Sequence, residues 1–271
     1  MPPLRVNGAT LYYEERGAGP ETVVFAHGLL WSARMFDAQV AELSTRYRCI
    51  AFDFRGQGAS EVTAGGYDMD TLAGDAAALI EALGAAPCHF VGLSMGGFVG
   101  MRLAVHRPEL VRSLVLMETS ADPEPNVVKY RLLGGIVRLF GRVGMRMVMP
   151  RVMRIMFGRE FLEDPARAAD RHLWRKRGLA NDPVGVTRAL QGVIDRRGVH
   201  EEIVRVTAPT LVMVGDQDVA TVPAKAERIA ARIPGARLVV IPGAGHTSSV
   251  EKPELVNRAL AEFLDSVRAG D

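Results

Sequence analysis

Ser94 lies in the segment whose residue types point most directly to covalent chemistry. It is the centre of Gly92-Leu93-Ser94-Met95-Gly96, directly after the apolar run Cys88–Gly92 and directly before a helical pattern over Met95–His106. A sharp strand-to-helix turn of this kind exposes the central hydroxyl above a helix N-terminus. The segment therefore predicts Ser94 as a nucleophile for acyl transfer, and an ordinary glycine-rich turn is the alternative.

A serine hydroxyl needs a base to remove its proton before it attacks a carbonyl carbon. His246 is the candidate, because it lies in the glycine-rich segment Pro242–Thr247 that follows the apolar run Arg237–Ile241. His27 is expected to fix a turn through hydrogen bonds, and His89 lies within an apolar run and is expected in the core. The sequence thus predicts His246 as the general base.

A carboxylate is the third requirement, because it holds the histidine in the correct tautomer and stabilises its cation. Asp216 and Asp218 both follow one apolar run, and Glu118 follows another. All three could approach His246 from the ends of strands, so the residues alone leave the choice open.

Backbone N–H groups can stabilise the negative oxygen that forms on the attacked carbonyl. Leu29 follows His27-Gly28 at the end of a predicted strand, and Met95 begins the helical pattern after Ser94. We predict that the N–H groups of Leu29 and Met95 form a two-donor oxyanion hole.

The sequence lacks the usual signatures of nucleotide binding. Asp53–Ser60 contains two glycines, but their spacing does not match a dinucleotide-binding turn, and no Gly-Lys-Ser/Thr follows as in a P-loop. Asp53 and Arg55 are therefore expected to fix a loop with their charges. We expect no cofactor and no metal.

Eight short apolar runs predict the strands that position these groups. They are Leu4–Val6, Thr10–Glu14, Thr22–Ala26, Arg48–Phe52, Cys88–Gly92, Ser113–Met117, Thr210–Val214 and Arg237–Ile241. Asn7-Gly8 between the first two predicts a hairpin. The other six alternate with helical patterns, which indicates a mainly parallel sheet with helices on both faces. The chemical groups follow the ends of these runs, where such sheets place their sites.

Residues 122–197 interrupt the alternation with several predicted helices and no clear strand. Residues 122–200 hold 16 Lys and Arg against 8 Asp and Glu, a net charge of +8 in a chain whose total is +2. This imbalance favours an insert with its own role. Its basic side chains are expected to be solvated, and binding of an acidic substrate is the alternative. Trp31, Phe140 and Phe157 are candidates for lining a substrate pocket. Five methionines of the insert are further candidates, with burial of helix faces as their alternative: Met145, Met147, Met149, Met153 and Met156.

Composition narrows the class of protein. Apolar residues make up 48% and charged residues 24% of the 271, as in globular domains, which argues against disorder. No apolar run approaches the ~20 residues of a membrane span, the first residues lack the apolar core of a secretory signal, and a net charge of +2 does not favour nucleic acid. Cys49 and Cys88 are expected as buried thiols, so we expect a cytoplasmic protein. The oligomeric state is left open.

The chain resembles α/β-hydrolase-fold enzymes from end to end. The resemblance rests on five segments, which occur in the same order along the chain. They are His27-Gly28, Asp53-x-Arg55-Gly56-x-Gly58-x-Ser60, Gly92-x-Ser94-x-Gly96, Gly215-x-x-Asp218 and Gly245-His246. The resemblance implies an α/β-hydrolase fold with a mostly parallel eight-stranded sheet, helices on both faces and a helical cap. It also implies a core domain over 1–121 and 198–271, with the cap at 122–197 after the sixth strand. In that pattern Asp218 is the triad acid and Asp216 is a neighbour in its loop.

Within the family, the segment around Ser94 is most similar to small esterases and 3-oxoadipate enol-lactonase-like hydrolases. The resemblance implies a carboxylesterase or lactonase that cleaves a small-molecule substrate through an acyl-enzyme. A serine at position 94 argues against haloalkane dehalogenases and epoxide hydrolases, which use an aspartate nucleophile. Carbon–carbon bond hydrolases, haloperoxidase or perhydrolase-like enzymes, hydroxynitrile lyases and triad-retaining ligand receptors share the serine triad and stay alternatives.

Overall fold

The N-terminal residues form a small hairpin apart from the main sheet. The computed structural model describes residues 3–269, and within them β1 (Leu4–Val6) pairs antiparallel with β2 (Ala9–Leu11). Asn7 (φ 48°) and Gly8 (φ 75°) form the turn, as Asn-Gly predicts. β3 (Tyr13–Arg16) follows and joins the main sheet.

Seven strands form the main sheet, in the order β3-β5-β4-β6-β7-β8-β9. After β3 they are β4 (Thr22–Ala26), β5 (Arg48–Phe52), β6 (Cys88–Leu93), β7 (Val111–Met117), β8 (Thr210–Gly215) and β9 (Arg237–Ile241). β3 runs antiparallel to β5, and every other pair is parallel. The prediction of a mostly parallel sheet is confirmed.

The expected number of eight strands in this sheet is wrong for residues 3–269. The predicted second strand, Thr10–Glu14, is divided at Tyr12, whose N–H donates to the Ser60 hydroxyl at 2.9 Å instead of to a strand. The hairpin strands β1 and β2 therefore pair with each other, and only the part after Tyr12 enters the main sheet.

Helices cover both faces of the sheet. They are α1 (Asp37–Leu43), α2 (Met69–Ala82), α3 (Met95–His106), α4 (Val127–Met156), α5 (Arg159–Glu163), α6 (Ala168–Ala180), α7 (Pro183–Ile194), α8 (Pro223–Arg232), α9 (Ser248–Glu251) and α10 (Pro253–Ala269). Side chains of α2, α3 and α8 pack with Val24 into one apolar cluster, and those of α1 and α10 pack with Val23 and Phe25 into a second. Successive strand residues point to opposite faces, so the sheet is buried on both sides.

Helices α4–α7 lie between β7 and β8 within residues 122–197, which we call the helical insert. α4 bends at Gly141, where φ is 53° and ψ is −129°. Apolar side chains such as Met145 and Met149 belong to the same cluster as α1 and α10. The insert thus packs continuously with one face of the core, and its status as a separate cap domain stays a prediction.

Candidate active site

Ser94 occupies the turn between β6 and α3 in a strained backbone conformation. Its φ of 51° and ψ of −107° lie outside the regions that residues with a Cβ ordinarily adopt. Its N–H donates to Met117 O at 2.8 Å, and the Thr119 hydroxyl donates to its carbonyl at 2.8 Å. The chain that follows β7 therefore holds the turn in place, and strain retained in this way is characteristic of functional positions.

Close backbone contacts explain the glycines around Ser94. A Cβ on Gly92 would lie 2.3 Å from Gly96 O, and a Cβ on Gly96 would lie 2.0 Å from Ala26 O. Both distances are far inside van der Waals contact, so β4, β6 and the start of α3 pack backbone against backbone. The glycine spacing that singled out Ser94 in the sequence is thus a packing requirement of the turn.

His246 follows β9, Asp218 follows β8, and the two side chains meet in the interior. His246 Nδ1 lies 2.9 Å from Asp218 Oδ2. Asp218 Oδ1 accepts the N–H groups of Ala220 at 2.8 Å and Thr221 at 3.0 Å, which fixes the carboxylate. The Thr221 hydroxyl donates to Oδ2 at 2.8 Å and lies 3.2 Å from Nδ1. An ionised Asp218 selects the tautomer with the proton on Nδ1, which leaves Nε2 of His246 as the basic nitrogen.

The other two candidate carboxylates bond elsewhere. Asp216 is exposed, and its Oδ1 accepts the Gly243 N–H at 2.8 Å. Glu118 is fully buried at the end of β7, and among residues 3–269 neither of its oxygens has a partner in hydrogen-bonding geometry. Of the three carboxylates, Asp218 is the one that the described structure places on His246, and its catalytic role stays a prediction.

Burial favours the protonated form of Glu118. Burial raises the pKa of Glu118 well above its ordinary value of 4.5, and the charges of Asp218 and Glu251 raise it further. The nearby Ser248 hydroxyl and Gly215 backbone act in the opposite direction but do not outweigh burial. This shift disfavours the ionised form that a triad acid needs in order to stabilise a histidine cation.

Two backbone N–H groups are available beside the nucleophile. Met95 is the first residue of α3, so its N–H has no acceptor within the helix. Leu29 follows β4 and lines the same cavity as Ser94. Within residues 3–269 neither N–H donates to a protein acceptor, so both can serve a substrate oxygen.

Buried polar side chains hold the turn that carries Leu29. Leu30 has a φ of 74°, its N–H donates to Gln57 Oε1 at 2.6 Å, and its carbonyl accepts Asn181 Nδ2 at 2.8 Å. Asn181 ends α6, and its Oδ1 also accepts the Gly58 N–H at 2.8 Å. The helical insert therefore bonds directly to this turn, a contact that no sequence pattern indicated.

The residues expected to be structural have structural contacts. His27 Nδ1 lies 2.7 Å from the next carbonyl and its Nε2 accepts the Phe54 N–H at 3.0 Å, while burial lowers the pKa of His27. Asp53 accepts backbone N–H groups from two loop residues. Arg55 forms a buried pair with Asp75 at 2.6 Å. The predictions that His27 fixes a turn and that Asp53 and Arg55 fix a loop are confirmed.

Glu251 ties the loop of His246 to the helical insert. Its Oε2 accepts the N–H groups of Gly158 at 2.7 Å and Gly245 at 3.1 Å. Its Oε1 accepts the Thr247 N–H at 3.2 Å and the Thr247 hydroxyl at 3.0 Å. A Cβ on Gly245 would lie 2.2 Å from Gly158 N, so the two segments touch. One buried carboxylate thus fixes both neighbours of His246 and the insert together.

A cavity of about 140 Å³ opens beside Ser94 and His246. The apolar side chains that form it include Leu133, Val137, Val148, Val152, Ile155 and Leu190. Its polar side chains are Ser94, Thr221 and His246, which define the reacting end, together with Glu124, Tyr130 and Thr187. The arrangement can hold an apolar group next to a nucleophile and a base.

Four of the side chains predicted to line a substrate pocket, Trp31, Phe140, Met153 and Phe157, lie outside this cavity lining. Trp31 is 1% exposed, and its ring packs against Phe157 at 5.9 Å between centroids. Met153 is buried in the same apolar cluster, whereas Phe140 is 51% exposed. The bend at Gly141 breaks the helical phase of α4, so sequence periodicity did not show which face turns inward. Three of the candidate methionines, Met145, Met149 and Met156, do line the cavity, and Met147 is 59% exposed.

Residues 3–269 hold neither a metal-binding cluster nor a membrane-spanning helix. No three His, Cys, Asp or Glu side chains in this range are grouped so that they could hold a metal ion. No helix in the same range has the length and apolarity needed to cross a membrane. Cys49 and Cys88 are buried, and burial raises the pKa of each thiol to about 12. Both thiols are therefore protonated and inert.

The chain is similar in sequence and structure to known proteins of one fold family. Residues 21–253 match the profile of the alpha/beta hydrolase fold. The chain is 35% identical to a Mycobacterium tuberculosis protein that its name assigns, provisionally, to the non-heme bromoperoxidases (BpoC), over 96% of this chain and 99% of that one. A thermophilic esterase from Thermogutta terrifontis superposes with a TM-score of 0.88 at 31% identity, over 96% of this chain and 94% of the esterase. An enol-lactonase from Burkholderia xenovorans LB400 superposes with a TM-score of 0.87 at 28% identity, over 97% and 100%.

Proposed function

Since the chain belongs to the alpha/beta hydrolase fold family, we propose that it is a serine hydrolase that cleaves carboxylic esters or lactones. The observation that carries the proposal is the buried 2.9 Å contact between His246 Nδ1 and Asp218 Oδ2, next to a cavity that His246 shares with Ser94. The esterase and the enol-lactonase among the relatives support this choice of bond.

In the first half-reaction, Ser94 Oγ attacks the carbonyl carbon of the substrate while His246 Nε2 accepts its proton. Asp218 stabilises the resulting imidazolium through Nδ1–H. The negative oxygen of the tetrahedral intermediate accepts the N–H groups of Leu29 and Met95. The intermediate then collapses, Nε2–H protonates the departing alcohol oxygen, and an acyl ester on Ser94 remains. In a lactone the alcohol stays attached to the acyl group.

In the second half-reaction, water takes the place of the alcohol. His246 Nε2 removes a proton from the water as it attacks the acyl carbon, and the same two N–H groups hold the oxyanion. Collapse releases the carboxylic acid and returns the proton to Ser94 Oγ.

The relative named as a bromoperoxidase, at 35% identity, favours a second candidate activity. The same acyl-enzyme would be attacked by hydrogen peroxide instead of water, which would release a peracid. Peracid formation from an ester and hydrogen peroxide, followed by halide oxidation, measures this activity separately from hydrolysis.

The test of the proposal is covalent labelling together with turnover. A fluorophosphonate probe, followed by peptide mapping, is expected to label Ser94, and Ser94→Ala should lose both labelling and hydrolysis of p-nitrophenyl butyrate. Ser266→Ala is the matched control, because Ser266 is exposed on α10. Labelling at another residue, or full activity of Ser94→Ala, would refute the mechanism. A single turnover that leaves a stable adduct would indicate a receptor instead of an enzyme.

A further inference from the structure

The charges around the cavity define the substrate class more narrowly than the catalytic residues do. We propose that the site takes neutral substrates whose acyl group is an apolar chain of about six carbons, and that it excludes acyl groups ending in a carboxylate. This inference rests on the proposed hydrolase function and specifies its substrate.

Among the described residues, no Lys or Arg side chain lines the cavity. The chain has 33 Lys and Arg, all within the described residues, and none of them lines it. Basic side chains of the insert bond elsewhere: Arg167 donates to the carbonyls of Val250 and Glu251, and Arg188 donates to Thr63 O. A substrate carboxylate in the cavity would therefore lose its water without gaining an ion pair.

The charged side chain that lines the cavity is an acid. Glu124 accepts a hydrogen bond from Arg196 at 2.8 Å and one from the Asn126 N–H at 2.9 Å. Arg196 lies over the Phe98 ring, 4.2 Å from its centroid, and is not part of the lining. The group presented to a ligand is thus the carboxylate of a neutral ion pair, which offers a second anion no net attraction.

The two remaining polar side chains of the lining, Tyr130 and Thr187, do not supply a positive charge either. Burial raises the pKa of Tyr130 to about 12, so the phenol stays neutral. The Thr187 hydroxyl donates within α7, to Pro183 O at 2.9 Å. Away from the reacting end, the described lining therefore offers a buried anion no positive charge.

The size of the cavity sets the length of the chain. Its 140 Å³ is close to the ~150 Å³ of an engineered apolar cavity that admits benzene, a six-carbon molecule. Each methylene that enters an apolar site raises affinity about fourfold. We therefore expect kcat/KM to rise from acetyl to hexanoyl esters and to fall again for dodecanoyl esters, which exceed the space.

The lack of Lys and Arg in the cavity lining predicts that this chain and one relative of the same fold act on different substrates. A relative named as a 3-oxoadipate enol-lactonase, from Acinetobacter baylyi, is 27% identical over 96% of this chain and 93% of that one, and an enol-lactone of oxoadipate, a dicarboxylic acid, keeps one free carboxylate. A cavity without a cation does not suit such a substrate, although the lactone bond itself fits the proposed mechanism.

A matched pair of esters tests the inference. p-Nitrophenyl hexanoate and the mono-p-nitrophenyl ester of adipic acid have the same leaving group and six-carbon acyl chain, and they differ by a terminal carboxylate. We expect kcat/KM to be at least ~100-fold higher for the hexanoate, because burial of an unpaired charge is costly. Comparable rates on both esters, lost together in Ser94→Ala, would overturn the inference and leave the hydrolase proposal intact. Failure to hydrolyse either ester would overturn both.

A pair of variants at Leu190 tests whether the cavity lining is what discriminates between the two esters. Leu190→Lys places an ammonium group in the lining and should raise the adipate-to-hexanoate ratio of kcat/KM at least ~10-fold through a new ion pair. Leu190→Met keeps the side chain apolar and should leave the ratio unchanged. An unchanged ratio in a folded Leu190→Lys variant would also overturn the inference. If that variant does not fold, the wild-type ratio still decides.

Discussion

Replacing Asp218 with asparagine is expected to stop catalysis by locking His246 in the wrong tautomer. The structure dictates which way the new amide points. Two backbone N–H groups, from Ala220 and Thr221, donate to Oδ1, so the asparagine oxygen must occupy that position. The NH₂ group then takes the place of Oδ2, 2.9 Å from His246 Nδ1. An NH₂ group donates there, so Nδ1 has to accept, and the ring proton moves to Nε2, the nitrogen that should act as base.

The size of the loss follows from the same contacts. In a serine protease the corresponding change lowers turnover ~10,000-fold, or about 5.4 kcal/mol of activation free energy. Here Thr221 offers a partial substitute, because its hydroxyl lies 3.2 Å from His246 Nδ1 and can accept the proton of the correct tautomer. We therefore expect kcat/KM to fall between ~100-fold and ~10,000-fold in Asp218→Asn. Adding Thr221→Val should deepen the loss.

Hydrolysis of p-nitrophenyl butyrate and the rate of fluorophosphonate labelling are the measurements, with thermal unfolding as a check on the fold. Asp216→Asn is the matched control and should cost less than ~10-fold, because Asp216 is exposed and bonds to the Gly243 N–H. The assignment is refuted if Asp218→Asn stays within tenfold of wild type while Glu118→Gln is crippling. The triad acid would then belong to the strand β7, and Ser94 and His246 would keep their roles.

Two further substitutions test the buried acids behind the site. Glu118→Gln should change kcat/KM less than ~10-fold. The variant should become more stable relative to wild type as the pH rises above 4.5, because folded wild type then binds a proton at Glu118 that the unfolded chain has lost. Urea unfolding at several pH values measures the difference in unfolding free energy, and a difference that does not vary with pH would contradict this expectation. Glu251→Gln replaces one of the two acceptor oxygens by an NH₂ group, so the N–H groups of Gly158, Gly245 and Thr247 compete for the oxygen that remains. It should cost about 2 kcal/mol of unfolding free energy and at least ~10-fold in kcat. Glu262→Gln on the exposed face of α10 is its control, and equal kcat in both variants would show that Glu251 does not position His246.

Local sequence patterns were sufficient to predict the turn that carries Ser94 and most of the strands. The turn of Ser94 is specified within a few residues, because the glycines that flank it permit the close backbone approach. The strands of a sheet buried on both faces are short apolar runs, and these are visible without any knowledge of their neighbours. The exception, Tyr12, is set by a hydrogen bond to Ser60, 48 positions away.

Contacts between distant segments could not be predicted in this way. Glu251 bonds to Gly158 across 93 positions, and Asn181 bonds to Leu30 across 151. Neither residue type carries a local signal for such a role, since glutamate and asparagine are common on surfaces. The inward face of α4 was missed for a different reason: a glycine within a helical pattern indicates a break, but it does not give the rotation that follows.

Two of the contacts between the helical insert and the core limit how the protein can be recombined. The insert enters and leaves the core between β7 and β8, so gene exchange or a laboratory graft would transfer it as one cassette. Its contacts at Asn181 and Gly158 end on the turn of Leu30 and on the loop of His246. A transplanted insert without an asparagine in place of Asn181 and a glycine in place of Gly158 would provide a new pocket but lose both hydrogen bonds. The turn of Leu30 and the loop of His246 would then be held less firmly. New specificities on this scaffold are therefore more accessible through point changes on the inward face of α4 than through replacement of the whole insert.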